Sequence, residues 1–93
     1  MAKKRTKLEI MHDILEVIKN KSGKIKPTHI LYKSNLSYQM MEEYLGELIE
    51  KGLIVQGKTA TGRTYSITEK GFNFLSQYRM IEDFTSSFGL ESS

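Results

Sequence analysis

The stretch from Ser34 to Ile67, SNLSYQMMEEYLGELIEKGLIVQGKTATGRTYSI, limits what this chain can fold into more than any other. From Ser37 to Lys51 the apolar residues Met41, Tyr44, Leu45, Leu48 and Ile49 recur at the three-and-four spacing of one buried helical face. Ser37 offers a hydroxyl at the helix start, and Gly52 stands where a left-handed residue ends a helix. Two β-prone runs follow, Leu53–Gln56 and Arg63–Ile67, joined by the small residues of Gly-Lys-Thr-Ala-Thr-Gly. In the second run Tyr65 and Ile67 alternate with Thr64 and Ser66, which predicts one buried face and one wet face. A turn, a helix, a hairpin and a further helix form the back half of a winged helix-turn-helix.

The flanking sequence completes that unit. Thr6 and Glu9 have capping-box spacing, so a first helix is expected from Lys7 to about Asn20, with Leu8, Met11, Ile14, Leu15 and Ile18 on its apolar side. Pro27 suits the first turn of a short second helix reaching about Lys33, with Ile30 and Leu31 inward. Ser34 and Asn35 then make the turn, and Leu36 plugs the gap before the third helix. A short helix, a tight turn and a longer helix are what a helix-turn-helix requires. Thr68 caps a fourth helix carrying Phe72, Phe74, Leu75, Tyr78, Ile81, Phe84 and Phe88, about 28 Å long if it reaches Ser87. Met40 and Met41 read as core filling. The expected architecture is α+β and mostly helical: a basic arm (1–5), a winged helix-turn-helix (6–68), a dimerisation helix packed on the same domain (69–88) and a tail (89–93).

Ninety-three residues suffice for one modest core. No apolar run reaches the length of a membrane span, and the basic residues after Met1 are not followed by the apolar stretch of a secretory signal. Cysteine is absent, which excludes disulfides and thiolate metal sites. His12 and His29 are too far apart to read as a metal pair. No serine, histidine and acid fall into a nucleophile's arrangement, and Gly57-Lys58-Thr59 lacks the glycine spacing of a phosphate loop. An enzyme, a cofactor, a small-molecule ligand and a membrane partner are therefore not expected.

The formal net charge is only +3, but it is unevenly distributed. Residues 1–26 carry eight Lys or Arg against three acids, and residues 27–57 carry two against four. Residues 58–79 return to four against one, and the chain ends acidic. A basic amino end and a basic hairpin suit a polyanion if folding brings them to one side.

Three short signals carry a family resemblance: Lys7-Leu8-Glu9-Ile10, Asn35-Leu36-Ser37-Tyr38 at the turn, and Thr68-Glu69-Lys70-Gly71 after the hairpin. Over residues 2 to about 82 the chain resembles the archaeal 10a-type DNA-binding proteins. The resemblance implies a homodimer joined through the last helix as an antiparallel coiled coil, bound to double-stranded DNA with little sequence preference. The chain departs from that pattern in a shorter, Phe-richer last helix and a longer wing.

The expected DNA contacts fall into four groups. Lys3, Lys4 and Arg5 form a basic arm that neutralises phosphates. Lys33, Ser34 and Asn35 at the turn meet the backbone. Ser37, Tyr38 and Gln39 open the third helix toward the major groove, where Gln39 can pair with an adenine edge. Lys58, Thr59, Thr61 and Arg63 line the wing, with Arg63 suited to the minor groove. Glu42, Glu43 and Glu47 oppose deep insertion of that helix. A seam of Phe74, Tyr78, Ile81 and Phe88, broadened by Phe84, is expected to join two protomers. The expected role is that of a transcriptional regulator or chromatin-like protein of the cytoplasm and nucleoid. The rival is a winged helix used as a protein-interaction module through the acidic side of its third helix, with RNA binding a weaker third.

Overall fold

The structure, a computed structural model, describes residues 5–21 and 24–89. The expected contacts at Lys3 and Lys4 and most of the tail lie outside them. The element order is α1 (Lys7–Asn20), α2 (Pro27–Ser34), α3 (Tyr38–Glu50), β1 (Ile54–Thr59), β2 (Gly62–Ile67) and α4 (Glu69–Ser87). Four helices and an antiparallel hairpin make the α+β winged helix-turn-helix that the sequence predicts.

Each helix begins and ends for a local reason. Thr6 and Glu9 form the full capping box of α1: the Glu9 amide donates to the Thr6 hydroxyl, and the Thr6 amide to Glu9 Oε1 at 2.8 Å. Pro27 opens α2, and Asn35 ends it in a left-handed conformation, φ 56°. Ser37 caps α3 by accepting from the Met40 amide. The far end of α3 closes with Gly52 at φ 76°. There the Leu53 amide reaches back to the Leu48 carbonyl and the Gly52 amide to that of Ile49, so two end carbonyls gain donors.

Among the described residues, fourteen buried hydrophobic side chains from all six elements and their connections form the core, with Ile14, Leu15, Ile30, Met41 and Leu48 sealed at its centre. Three expected core positions lie elsewhere. Leu8 sits in the first turn of α1 and is exposed, Met40 is exposed one step outside the Met41 stripe, and Phe72 is 46% exposed. Leu75 is buried on α4, and Phe74 packs partly against the core.

The hairpin also differs from expectation. Its strands extend through Gly57–Thr59 and Gly62, pairing Lys58 with Arg63 and Thr59 with Gly62, so only Ala60 and Thr61 remain as loop. Hence the six-residue connection read from composition is mostly strand. Strict alternation also fails in β2, because Thr64 and Tyr65 are both buried. The cause is a second pairing: Ile25 and Tyr65 exchange backbone hydrogen bonds of 3.1 and 2.8 Å, bringing residues 24–26 alongside β2. Thr64 Oγ1 is left buried without a hydrogen-bond partner among the described residues.

The passage from hairpin to α4 depends on Gly71. Thr68 caps α4 through the Gly71 amide, while its hydroxyl lies 2.7 and 3.0 Å from the carbonyl oxygens of Gly52 and Leu53. A Cβ at Gly71 would lie 2.6 Å from Ile67 Cγ1 and closer still to the Leu53 carbonyl oxygen. Since that carbonyl is backbone held by the Thr68 amide, it cannot yield cheaply. Gly71→Ala is expected to destabilise the fold by about 2 kcal/mol, the range of overpacking substitutions, despite alanine's better helix propensity. Chemical denaturation of both proteins measures this directly.

Candidate nucleic-acid interface

The residues expected to contact DNA that the structure describes come from the turn before α3, the first turn of α3 and the hairpin, with Arg5 ahead of α1. Left-handed Asn35 redirects the chain out of α2, and capping by Ser37 fixes where α3 starts. Ser37, Tyr38, Gln39 and Met40 are therefore presented together at the exposed helix start, with Tyr38 59% accessible. Lys33 on the last turn of α2 is exposed, and Tyr32 beside it is 90% accessible.

The expected role of Arg63 does not match its environment. Its guanidinium makes a two-pronged contact with the Glu42 carboxylate of α3, at 3.2 and 2.9 Å, joining wing to helix. The Arg63 hydrogen bonds are the main cause holding the Glu42 carboxyl below its usual range, and the Tyr38 hydroxyl adds to it. The same contact with Glu42 raises the Arg63 guanidinium further above its ordinary value. Arg63 is thus already engaged, unlike a side chain poised for the minor groove. Thr59 is engaged too: its hydroxyl accepts from the Thr61 amide and lies 3.2 Å from the Gly62 carbonyl oxygen, closing the wing tip. The Thr61 side chain stays exposed and contacts the Thr59 hydroxyl.

Two of the three glutamates that argue against helix insertion are countered. Glu42 is held by Arg63. Glu47 is held by Lys7 of α1 at 2.7 Å, with Lys51 at 3.8 Å, and the Lys7 hydrogen bond is the main cause lowering its carboxyl. Glu43 remains exposed. On the turn, the wing and the segment beside β2, Lys33, Lys58, Lys24 and Lys26 make no ion pair among the described residues; Lys19 and Lys21 at the end of α1 and Lys70 and Arg79 on α4 make none either. Lys24 and Lys26 flank Ile25 and so stand beside β2. In the sequence they count only toward the basic charge of residues 1–26. The signal available for them was Ile25, a lone apolar residue between two lysines and two positions before a proline.

Of the five residues expected at a dimer seam, Phe74 and Tyr78 already have partners within the chain. Phe74 lies against the core, and the Tyr78 ring stacks on His12 of α1 at 4.2 Å. The remaining three stay exposed: Ile81, Phe84 and Phe88, with Met80, are 60–66% accessible. Among the described residues no group of metal-ligating side chains gathers, and no helix is long and apolar enough to cross a membrane.

A capped helix after a left-handed turn, braced by a two-stranded wing, defines a winged-helix protein. The winged helix-turn-helix family model matches residues 4–86, and the chain belongs to that family. Sso10a-2, a DNA-binding protein from Sulfolobus solfataricus, superposes with a TM-score of 0.72 at 26% identity, over 96% of this chain and all of that one. This agrees with the 10a-type resemblance in the sequence. MarR from E. coli superposes with a TM-score of 0.68 over 83% of this chain and 60% of its own; at 16% identity that likeness is one of fold. An uncharacterized protein of Methanocaldococcus jannaschii is 35% identical over 68 residues, 73% of this chain. The match spans only 29% of that archaeal protein's length. The fold is thus the winged helix shared by the DNA-binding protein Sso10a-2 and by MarR.

Proposed function

We propose that this chain binds double-stranded DNA as a homodimer, chiefly through phosphate contacts, in a regulatory or architectural role. The observation that carries the reading is the pairing state of the charges. Along α3, Glu42 and Glu47 are paired within the fold, whereas Lys33 on the last turn of α2, Lys58 on the wing, and Lys24 and Lys26 beside β2 make no ion pair among the described residues. Lysine ammoniums on turn and wing give affinity without reading bases, while the Gln39 amide at the helix start is suited to a base edge. Weak sequence preference follows. The DNA-binding description of Sso10a-2 supports the same assignment.

Arg63 and Lys58, adjacent across the hairpin register, are assigned different work. Lys58 contacts phosphate, while Arg63 holds the wing against α3. Lys58→Ala is expected to weaken binding about threefold on any duplex and to reduce the salt slope by about one unit. Arg63→Ala is expected to weaken it more, because Glu42 then faces the phosphates unpaired. Adding Glu42→Gln to Arg63→Ala should recover part of that loss. Fluorescence anisotropy with labelled random and selected duplexes reads all three; equal effects of Lys58→Ala and Arg63→Ala, with no recovery, would sink the division of roles.

The protein-adaptor alternative relied on an acidic face of α3. With Glu42 and Glu47 each paired, that face is reduced to Glu43 and Glu50, and nothing else favours it. Absence of any duplex binding at low salt would nevertheless return it to first place.

A further inference from the structure

Arg5 ends the basic run 3–5 that sequence reading gives to DNA, yet its guanidinium points into the fold. Nη1 donates to Asp13 Oδ2 of α1 at 2.9 Å. Nη2 donates to the Ser34 carbonyl at 3.0 Å and reaches that of Asn35 at 3.4 Å. These carbonyls stand at the end of α2, where no further helical N–H is available and the helix dipole is negative. Ser34 is buried, with its hydroxyl turned back to the Ile30 carbonyl, and Asn35 is the left-handed residue that aims the chain into α3. Asp13 is contacted from its other side by His12 Nδ1 at 3.3 Å, and His12 in turn stacks on Tyr78 of α4.

We propose that Arg5 is a positioning residue rather than a phosphate contact: oriented by Asp13, it clamps the α2–α3 turn and thereby sets how α3 meets DNA. This rests on the DNA-binding reading above. A planar guanidinium suits the task because one fork serves a carboxylate and two carbonyls at once, which a single ammonium cannot do in the same geometry. It also explains how the residue before a helix cap on α1 can matter at a turn 29 positions away in sequence.

Asp13→Asn in the full chain separates the two roles by sign. If Arg5 touches phosphate, loss of the carboxylate frees the guanidinium and duplex binding tightens. If Arg5 is a clamp, Asp13→Asn weakens binding, by about three- to tenfold, as Arg5→Ala does, and the double variant is no worse than either. The salt slope gives a second readout. Arg5→Ala should leave it unchanged, whereas loss of a phosphate contact would lower it by about 0.9. A third needs no DNA: hydrogen exchange at the Asn35 amide, which is bonded to Leu31, should quicken in Arg5→Ala, Arg5→Lys and Asp13→Asn. Tighter binding by Asp13→Asn, a reduced slope in Arg5→Ala, or unchanged exchange at Asn35 would each overturn the proposal. So would full rescue by Arg5→Lys. If the wild-type chain binds no duplex at low salt, the DNA reading falls, and the exchange experiment still decides whether the clamp exists.

Discussion

Raising monovalent salt from about 50 to about 200 mM is expected to cut the affinity for a random duplex short enough to engage one protomer by about a hundredfold, the loss associated with roughly four neutralised phosphates. Lys24, Lys26, Lys33 and Lys58 supply that number within the described residues, and none is engaged by a carboxylate there. Arg5, Lys7 and Arg63 are excluded from it because Asp13, Glu47 and Glu42 already pair with them. The slope should be nearly the same on selected and random sequences, since phosphate contacts carry no base information. A titration by fluorescence anisotropy reads it. A slope near zero, with binding that persists at high salt, would mean that base contacts or apolar surface dominate, and the charge-pairing argument would be wrong.

Much of this fold was legible because it is written in local signals. Caps at Thr6, Ser37 and Thr68, the proline opening α2 and the glycine closing α3 each depend on a few neighbouring residues, and all act as expected. What was hidden depends on partners distant in sequence. The pairing of Ile25 with Tyr65 buries Thr64 and moves two lysines beside the wing, and no spacing rule announces an isolated bridge. Arg5 and Arg63 look like free cations in a sequence, because their carboxylates lie 8 and 21 residues away. Exposure of Phe72 is a similar lesson. A core has a fixed volume, and Leu75 with part of Phe74 already fills the place α4 is offered. Charge counted along a chain overstates what a surface presents, since folding pairs some charges and leaves others bare.

Phe84→Lys is expected to convert a dimer to a monomer. Met80, Ile81 and Phe84 on the distal half of α4 and Phe88 at its C-cap are each at least 60% exposed, with the Phe84 and Phe88 rings 4.9 Å apart. Covering such side chains is worth about 1–2 kcal/mol each, so four from each protomer across a two-fold axis match an association cost of about 4–15 kcal/mol. Lysine is the informative replacement. Phe84 stands near the negative end of α4, where a cation is compatible with the helix, so the change removes apolar contact without melting the segment. Phe74→Ala supplies the contrast: its ring serves the chain's own core and should lower stability while leaving the dimer intact. Because two linked binding units hold duplex far longer than one, the Phe84→Lys monomer should also lose DNA affinity by about a hundredfold, with unchanged Lys58 dependence per unit. Sedimentation equilibrium and anisotropy on the same samples test both halves, and a wild-type chain that sediments as a monomer at micromolar concentration would remove the dimer from the account.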